Sequence, residues 1–146
     1  MMSQSIQILM VEDNPADVEL TKEAFNESKL SSSLYVVNDG EEALDYLYKR
    51  GRFADVDTPD IILLDLNLPK VSGKEVLTFL NKDKNLACIP VIVLSSSEDS
   101  VDIKACYALS ANSFVTKPVA IDDFLAVVKS VEHFWVTVVK LPSDKK

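Results

Sequence analysis

The chain is short of positive charge. Lysine and arginine number 15 against 23 aspartates and glutamates, for a net charge of −8. Nonspecific attraction to nucleic acid or to anionic lipid needs basic patches, so neither is an expected partner. Histidine occurs once, at His133, and cysteine twice, at Cys88 and Cys106, with neither CxxC nor zinc-ligand spacing. Both cysteines read as buried thiols in a reducing cytosol. No apolar run approaches the length of a membrane span. Met1-Met-Ser-Gln-Ser carries neither the basic nor the apolar part of a signal peptide, so the expected location is the cytoplasm. Also missing are GxGxxG and GxxxxGK[ST], against dinucleotide and P-loop binding, and GxSxG, against a hydrolase elbow. There is no repeat, low-complexity tract or linker. What remains is a chain of 146 residues, 47% hydrophobic and 26% charged, the profile of one ordinary globular domain over 1–146.

Against that background one stretch stands out: Ile61-Ile-Leu-Leu-Asp65-Leu-Asn67-Leu-Pro69. Four apolar residues in a row predict a strand buried on both faces, and Asp65 falls at its C-terminal end. The rest of the chain alternates strand and helix around it. Ile6–Val11 predicts a first strand, ending in Glu12-Asp13-Asn14-Pro15. Asn14 can cap a helix that has Pro15 at its first position. This helix runs to about Ser28, with Ala16, Leu20 and Ala24 inward and Val18 and Phe25 widening the stripe. Leu34–Val37 is a short second strand. Glu41–Arg50 is helical with Ala43, Leu44, Leu47 and Tyr48 on one face, and Gly51–Pro59 is a polar connection. A third helix follows Gly73 to about Lys82, with Val76, Leu77 and Leu80 inward. Val91–Leu94 is the fourth strand, ending at Ser95. A fourth helix covers about Asp99–Leu109. Ser113–Thr116 is a fifth strand, and a fifth helix begins near Asp122. Five strand–helix units with long crossovers predict a doubly wound, five-stranded parallel α/β sheet of flavodoxin-like order 2-1-3-4-5, with helices on both faces.

The unusual polar residues all follow strands: Glu12 and Asp13 the first, Asp65 the third, Ser95 the fourth, Lys117 the fifth. In such a sheet these ends share one crevice. Three carboxylates there call for a cation, and oxygen ligands with room for water suit Mg²⁺, which also attracts phosphate. Lys117 is a point charge and Ser95 a hydroxyl for phosphoryl oxygens. Asp65 is then a nucleophile able to form an aspartyl-phosphate. Taken singly, each residue has a blander explanation: Asp65 as a turn residue, Glu12 and Asp13 as solvated first-turn acids, Ser95 as a helix cap. Only their joint placement points to chemistry. His133 falls late in the fifth helix, far from the strand ends, so a phosphohistidine donor would have to be another protein.

At Val-Glu12-Asp13-Asn, Leu-Leu-Asp65-Leu-Asn67-Leu-Pro, Leu-Ser95-Ser-Ser and Thr-Lys117-Pro118 the chain resembles the receiver domain of two-component response regulators. The resemblance covers about 6–131, leaving 132–146 as a C-terminal extension. It implies that Asp65 takes phosphate from the histidine of a sensor kinase. It implies direct Mg²⁺ contacts from Asp13, Asp65 and the backbone carbonyl of Asn67, with Glu12 acting through water. Lys117 would contact the phosphoryl group, and Pro118 would follow a cis peptide. Ser95 and Phe114 would be the switch pair, serine standing for the commoner threonine and phenylalanine for the commoner tyrosine. Having no hydroxyl, the Phe114 ring would be placed by packing alone.

The run from Asp65 to Leu77 and the late run from Val131 to Pro142 are similar, more narrowly, to small response regulators paired with cyanobacterial phytochromes. No output domain is expected after the receiver, so the signal would leave by protein contact. Helix four, strand five and helix five would form the output and homodimer face, with Tyr107, Phe114, Phe134 and Trp135 in it. The protein is then expected to be no enzyme beyond assisting its own phosphotransfer and slow dephosphorylation. The competing class is a phosphatase- or dehalogenase-like hydrolase with Asp65 as nucleophile. Such enzymes usually carry a cap insertion to exclude water, and Gly51–Pro59 is too short for one.

Overall fold

The computed structural model describes residues 6–27, 32–66, 71–95 and 113–116. They form a parallel sheet with strands β1 (Ile6–Val11), β2 (Ser32–Val37), β3 (Ile61–Asp65), β4 (Val91–Ser95) and β5 (Ser113–Thr116), in the order β2-β1-β3-β4-β5. The helices are α1 (Pro15–Glu27), α2 (Gly40–Leu47) and α3 (Gly73–Lys82). Every residue of β3 is buried, as its continuous apolar run requires.

Strand alternation divides the core. Leu9, Val11, Ile62, Leu64, Val91 and Val93 point to the face that α2 and α3 cover with Ala43, Leu44, Leu47, Val76, Leu77 and Leu80. Ile8, Met10, Ile61, Leu63, Ile92 and Leu94 are equally buried but belong to the other face. Because β1→β2 and β2→β3 step in opposite directions across the sheet, right-handed crossovers put α1 on the face opposite α2.

Several local expectations change. In α1, Ala16 is exposed and Leu20 only partly covered, while Val18 and Thr21 are buried. The larger valine claims the core, and Thr21 can join it because its hydroxyl donates to the Asp17 carbonyl at 2.9 Å. Helix α2 stops at Leu47. Tyr48 becomes its C-cap and turns outward, and Lys49 follows at a φ of 57°. Tyr46 is buried in its place, packed against Tyr35 and Phe53 with ring centroids 4.9 and 5.3 Å away. Phe53, inside the stretch expected to be a polar connection, sits in a short 3-10 turn (Gly51–Phe53) and is buried. Cys88 is exposed, not buried, because the turn after α3 carries it away from the core. Cys106 lies outside the described residues, as do the fourth and fifth helices. No helix among the described residues is long and apolar enough to cross a membrane.

Candidate functional site

The site grows out of two neighbouring strand ends. Val11 of β1 lies beside Leu64 of β3, so Glu12 and Asp65 come level at the sheet's C-terminal edge. Glu12 is 1% exposed and Asp65 4%, whereas Asp13 faces solvent. Carboxylate oxygens of Glu12, Asp13 and Asp65 lie within 4.8 Å of one another. One step further across the sheet, Leu94 of β4 pairs with Asp65, so Ser95 follows just past it. Thr116 of β5 pairs with Ser95 in turn.

Local sequence chemistry fixes this edge. The Asn14 side-chain oxygen accepts from the Ala16 amide at 2.9 Å and caps α1, while the Asn14 backbone amide donates to Glu12 Oε2 at 3.1 Å. The Glu12 amide donates to the Val37 carbonyl at 3.0 Å. Asp39 caps α2 by accepting from the Glu42 amide at 2.8 Å. Below Asp65, Ser72 and Glu75 make a reciprocal capping box at the start of α3. The Gly73 amide donates to the Leu66 carbonyl at 3.0 Å. A β-carbon on Gly73 would lie 2.5 Å from the Asp65 carbonyl oxygen, and one on Gly40 would run into the Val71 backbone. Gly73 thus lets α3 start against the main chain of Asp65 and Leu66, and Gly40 lets α2 start against that of Val71.

The donor set suits a hard divalent cation. It is all carboxylate oxygen, two groups are held in the protein, and the third opens to water that can complete the shell. Glu12, Asp13 and Asp65 could hold such an ion together. Among the residues expected to serve the site, these three are brought into one place, and Ser95 and Phe114 have their backbones in β4 and β5. Asn67, Lys117, Pro118, Tyr107, Phe134 and Trp135 lie outside the described residues. Sequence reasoning missed Asn38, whose side chain reaches Glu12. Its position directly after an apolar strand was the available signal.

Comparison with known proteins agrees with this arrangement. Residues 8–129 match the response regulator receiver domain family. Response regulator Rcp1 of Synechocystis sp. (strain ATCC 27184 / PCC 6803 / Kazusa) is 38% identical over 136 residues, 93% of this chain and 92% of its own. The crystal structure of the phosphorylated cyanobacterial phytochrome response regulator RcpA superposes with a TM-score of 0.84 at 42% identity. That match covers 92% of this chain and 96% of that one. The Mn²⁺-bound form of Rcp1 gives a TM-score of 0.82 at 37% identity, covering 91% and 96%.

Proposed function

This chain belongs to the response regulator receiver domain family, and we propose that it is a phosphoryl-accepting signalling module with Asp65 as acceptor. The observation that carries the reading is the seat of Asp65: last residue of a fully buried strand, with its carboxylate beside those of Glu12 and Asp13. An Asp65 oxygen attacks the phosphorus of a phosphohistidine on a partner kinase. The new O–P bond forms as the P–N bond breaks, and the imidazole nitrogen keeps the electron pair. When bound, Mg²⁺ supplies charge neutralisation for the carboxylates and the phosphoryl oxygens. Asp13, Asp65 and the Asn67 carbonyl would hold it directly, with Glu12 assisting through water, as the family resemblance implies. Lys117, whose peptide to Pro118 would be cis by the same resemblance, would offer its charge to the phosphoryl group, and Ser95 its hydroxyl to the same oxygens. Without a hydroxyl, the Phe114 ring would be placed by packing alone.

We read the whole as one flavodoxin-like, five-stranded receiver over 1–146, its core spanning 6–131 and an extension following. It acts in the cytoplasm rather than as an enzyme on small substrates. Similarity to phytochrome response regulators supports a phytochrome-type histidine kinase as donor. Output passes through a homodimer built on helix four, strand five and helix five, with Tyr107, Phe114, Phe134 and Trp135 at the contact. Sedimentation of wild type and Trp135→Ala checks the dimer: a wild type monomeric at high micromolar concentration, phosphorylated or not, would sink it.

Phosphotransfer from candidate kinases tests the central claim. Wild type should acquire a hydroxylamine-sensitive label, and Asp65→Asn, isosteric and folded by circular dichroism, should acquire none. Equal labelling of the variant moves the acceptor elsewhere.

A further inference from the structure

We propose that Asn38 is a positioning residue for the cation site, an inference that rests on the metal reading above. Main-chain pairing between β1 and β2 ends where the Glu12 amide donates to the Val37 carbonyl. One bond further, the Asn38 side-chain amide donates to the Glu12 carbonyl at 3.1 Å. A side chain thereby continues the backbone ladder past its last rung. Glu12 is held on both sides of its backbone by the end of β2, and its carboxylate is held by the Asn14 amide.

The consequence falls on Asp13. A peptide unit is planar, so fixing the Glu12 carbonyl fixes the Asp13 nitrogen and Cα with it. Asp13 is the exposed member of the carboxylate trio and has the least packing to place it. Its placement depends on the direction in which the chain leaves Glu12, and the Asn38 bond sets that direction.

Asn38 is itself anchored. Its backbone amide donates to Glu42 Oε1 at 3.0 Å, and Glu42 Oε2 accepts from Arg52 Nη2 at 2.8 Å. Asp39 next to it caps α2. The start of α2 therefore presents the Asn38 amide to β1 as a fixed donor. A purely structural role would be to satisfy the Glu12 carbonyl. Asn38 is exposed, so water could replace the amide there at little cost to folding. Water would not impose a direction on the following residue.

The test measures Mg²⁺ binding by calorimetry and the melting temperature in EDTA for wild type, Asn38→Leu, Asn38→Ala and Asp13→Ala. Asn38→Leu keeps the approximate shape and loses the donors. Both Asn38 variants should weaken Mg²⁺ binding by about threefold to tenfold, the net worth of one hydrogen bond, while melting close to wild type without metal. Unchanged Mg²⁺ affinity in the Asn38 variants, whatever happens to the metal-free melting temperature, leaves Asn38 as fold-stabilising only and overturns the inference. If Asp13→Ala binds Mg²⁺ as wild type does, the cation lies elsewhere and the metal reading fails first.

Discussion

The two ends of the sheet use carboxylates in opposite ways. At the N-terminal end, Asp60 belongs to the fold. Its Oδ2 accepts from the Gln7 amide at 2.8 Å, and its own amide donates to the Gln7 carbonyl at 2.7 Å. This closed ring ties the approach to β3 onto β1. Burial pushes the Asp60 carboxyl up, the Gln7 bond draws it down, and the charge of Asp57 adds to the rise. The same charge, behind burial and Tyr35, raises the Tyr46 hydroxyl nearby. At the C-terminal end, Glu12, Asp13 and Asp65 are gathered within 4.8 Å, an all-carboxylate donor set of the kind a divalent cation takes. The lesson is that the same residue type reads as structure where main chain closes around it and as chemistry where several converge.

Glycine repeats the contrast, and breaking it gives the largest effects. The sequence holds three glycines. Two of them, Gly40 and Gly73, lie at the functional end where another backbone leaves no room for a β-carbon. Gly51, at the other end, has a φ of 58° and nothing within 4 Å of its would-be β-carbon. Gly40→Ala and Gly73→Ala should each cost about 3 kcal/mol in denaturant unfolding, since a clash with main chain cannot be relieved by a rotamer change. Gly51→Ala should cost about 1 kcal/mol, and Gly51→Asn close to nothing, because only the left-handed conformation opposes them. A Gly40→Ala no worse than Gly51→Ala would show that the Val71 backbone yields freely.

Metal separates the ends next. With free Mg²⁺ at ten times its dissociation constant, binding to the native state stabilises by about 1.4 kcal/mol. Wild type should gain that increment in thermal unfolding and lose it to EDTA. Asp13→Ala should lose most of it, whereas Asp60→Asn should keep it whole. An Asp13→Ala protein that retains the full increment would remove the distinction between the two acid environments.

Much of this was legible in the residues, and the reasons are local. The run Ile61–Leu64 reads as a fully buried strand, and Asp65 at its end follows from that. Glu12 and Asp13 were placed by the same reasoning on Ile6–Val11, and Asn14-Pro15 announced the helix. The parts that were not legible depend on contacts distant in sequence or on backbone states that side chains do not advertise. Lys49 adopts a positive φ without being glycine, and α2 ends before it, with Tyr46 buried inside the helix and Tyr48 left as an exposed cap. Phe53 looked like part of a polar connection until Tyr35 and Tyr46 gave it partners from two other elements. Asn38 and Glu12 are 26 residues apart, and the spacing of neither suggests the bond. Cys88 has the apolar character of a core residue but follows α3 into an exposed turn.

The smallest effect sharpens the structural end. Because burial raises the Asp60 carboxyl above its ordinary value, the native state holds its proton more tightly than the unfolded chain does. Stability then falls as pH rises through the folded value, since more protons are bound in the native state across that window. The contribution is fully present below the ordinary carboxylate value and is lost as pH rises through the folded one, above which the ionised carboxylate is a burden relieved only in part by Gln7. Asn at this position keeps an oxygen to accept from the Gln7 amide and drops the charge facing Asp57. Asp60→Asn should therefore melt slightly above wild type at pH 7. Water that reaches this half-buried group holds the gain below about 1 kcal/mol. The gain should shrink as pH falls through the raised folded value, where wild type takes up its own proton and becomes neutral as well. A variant less stable than wild type at every pH would mean that the charged bond to Gln7 outweighs burial. Asp60 would then be a carboxylate that the fold prefers ionised, unlike the one described by its raised proton affinity.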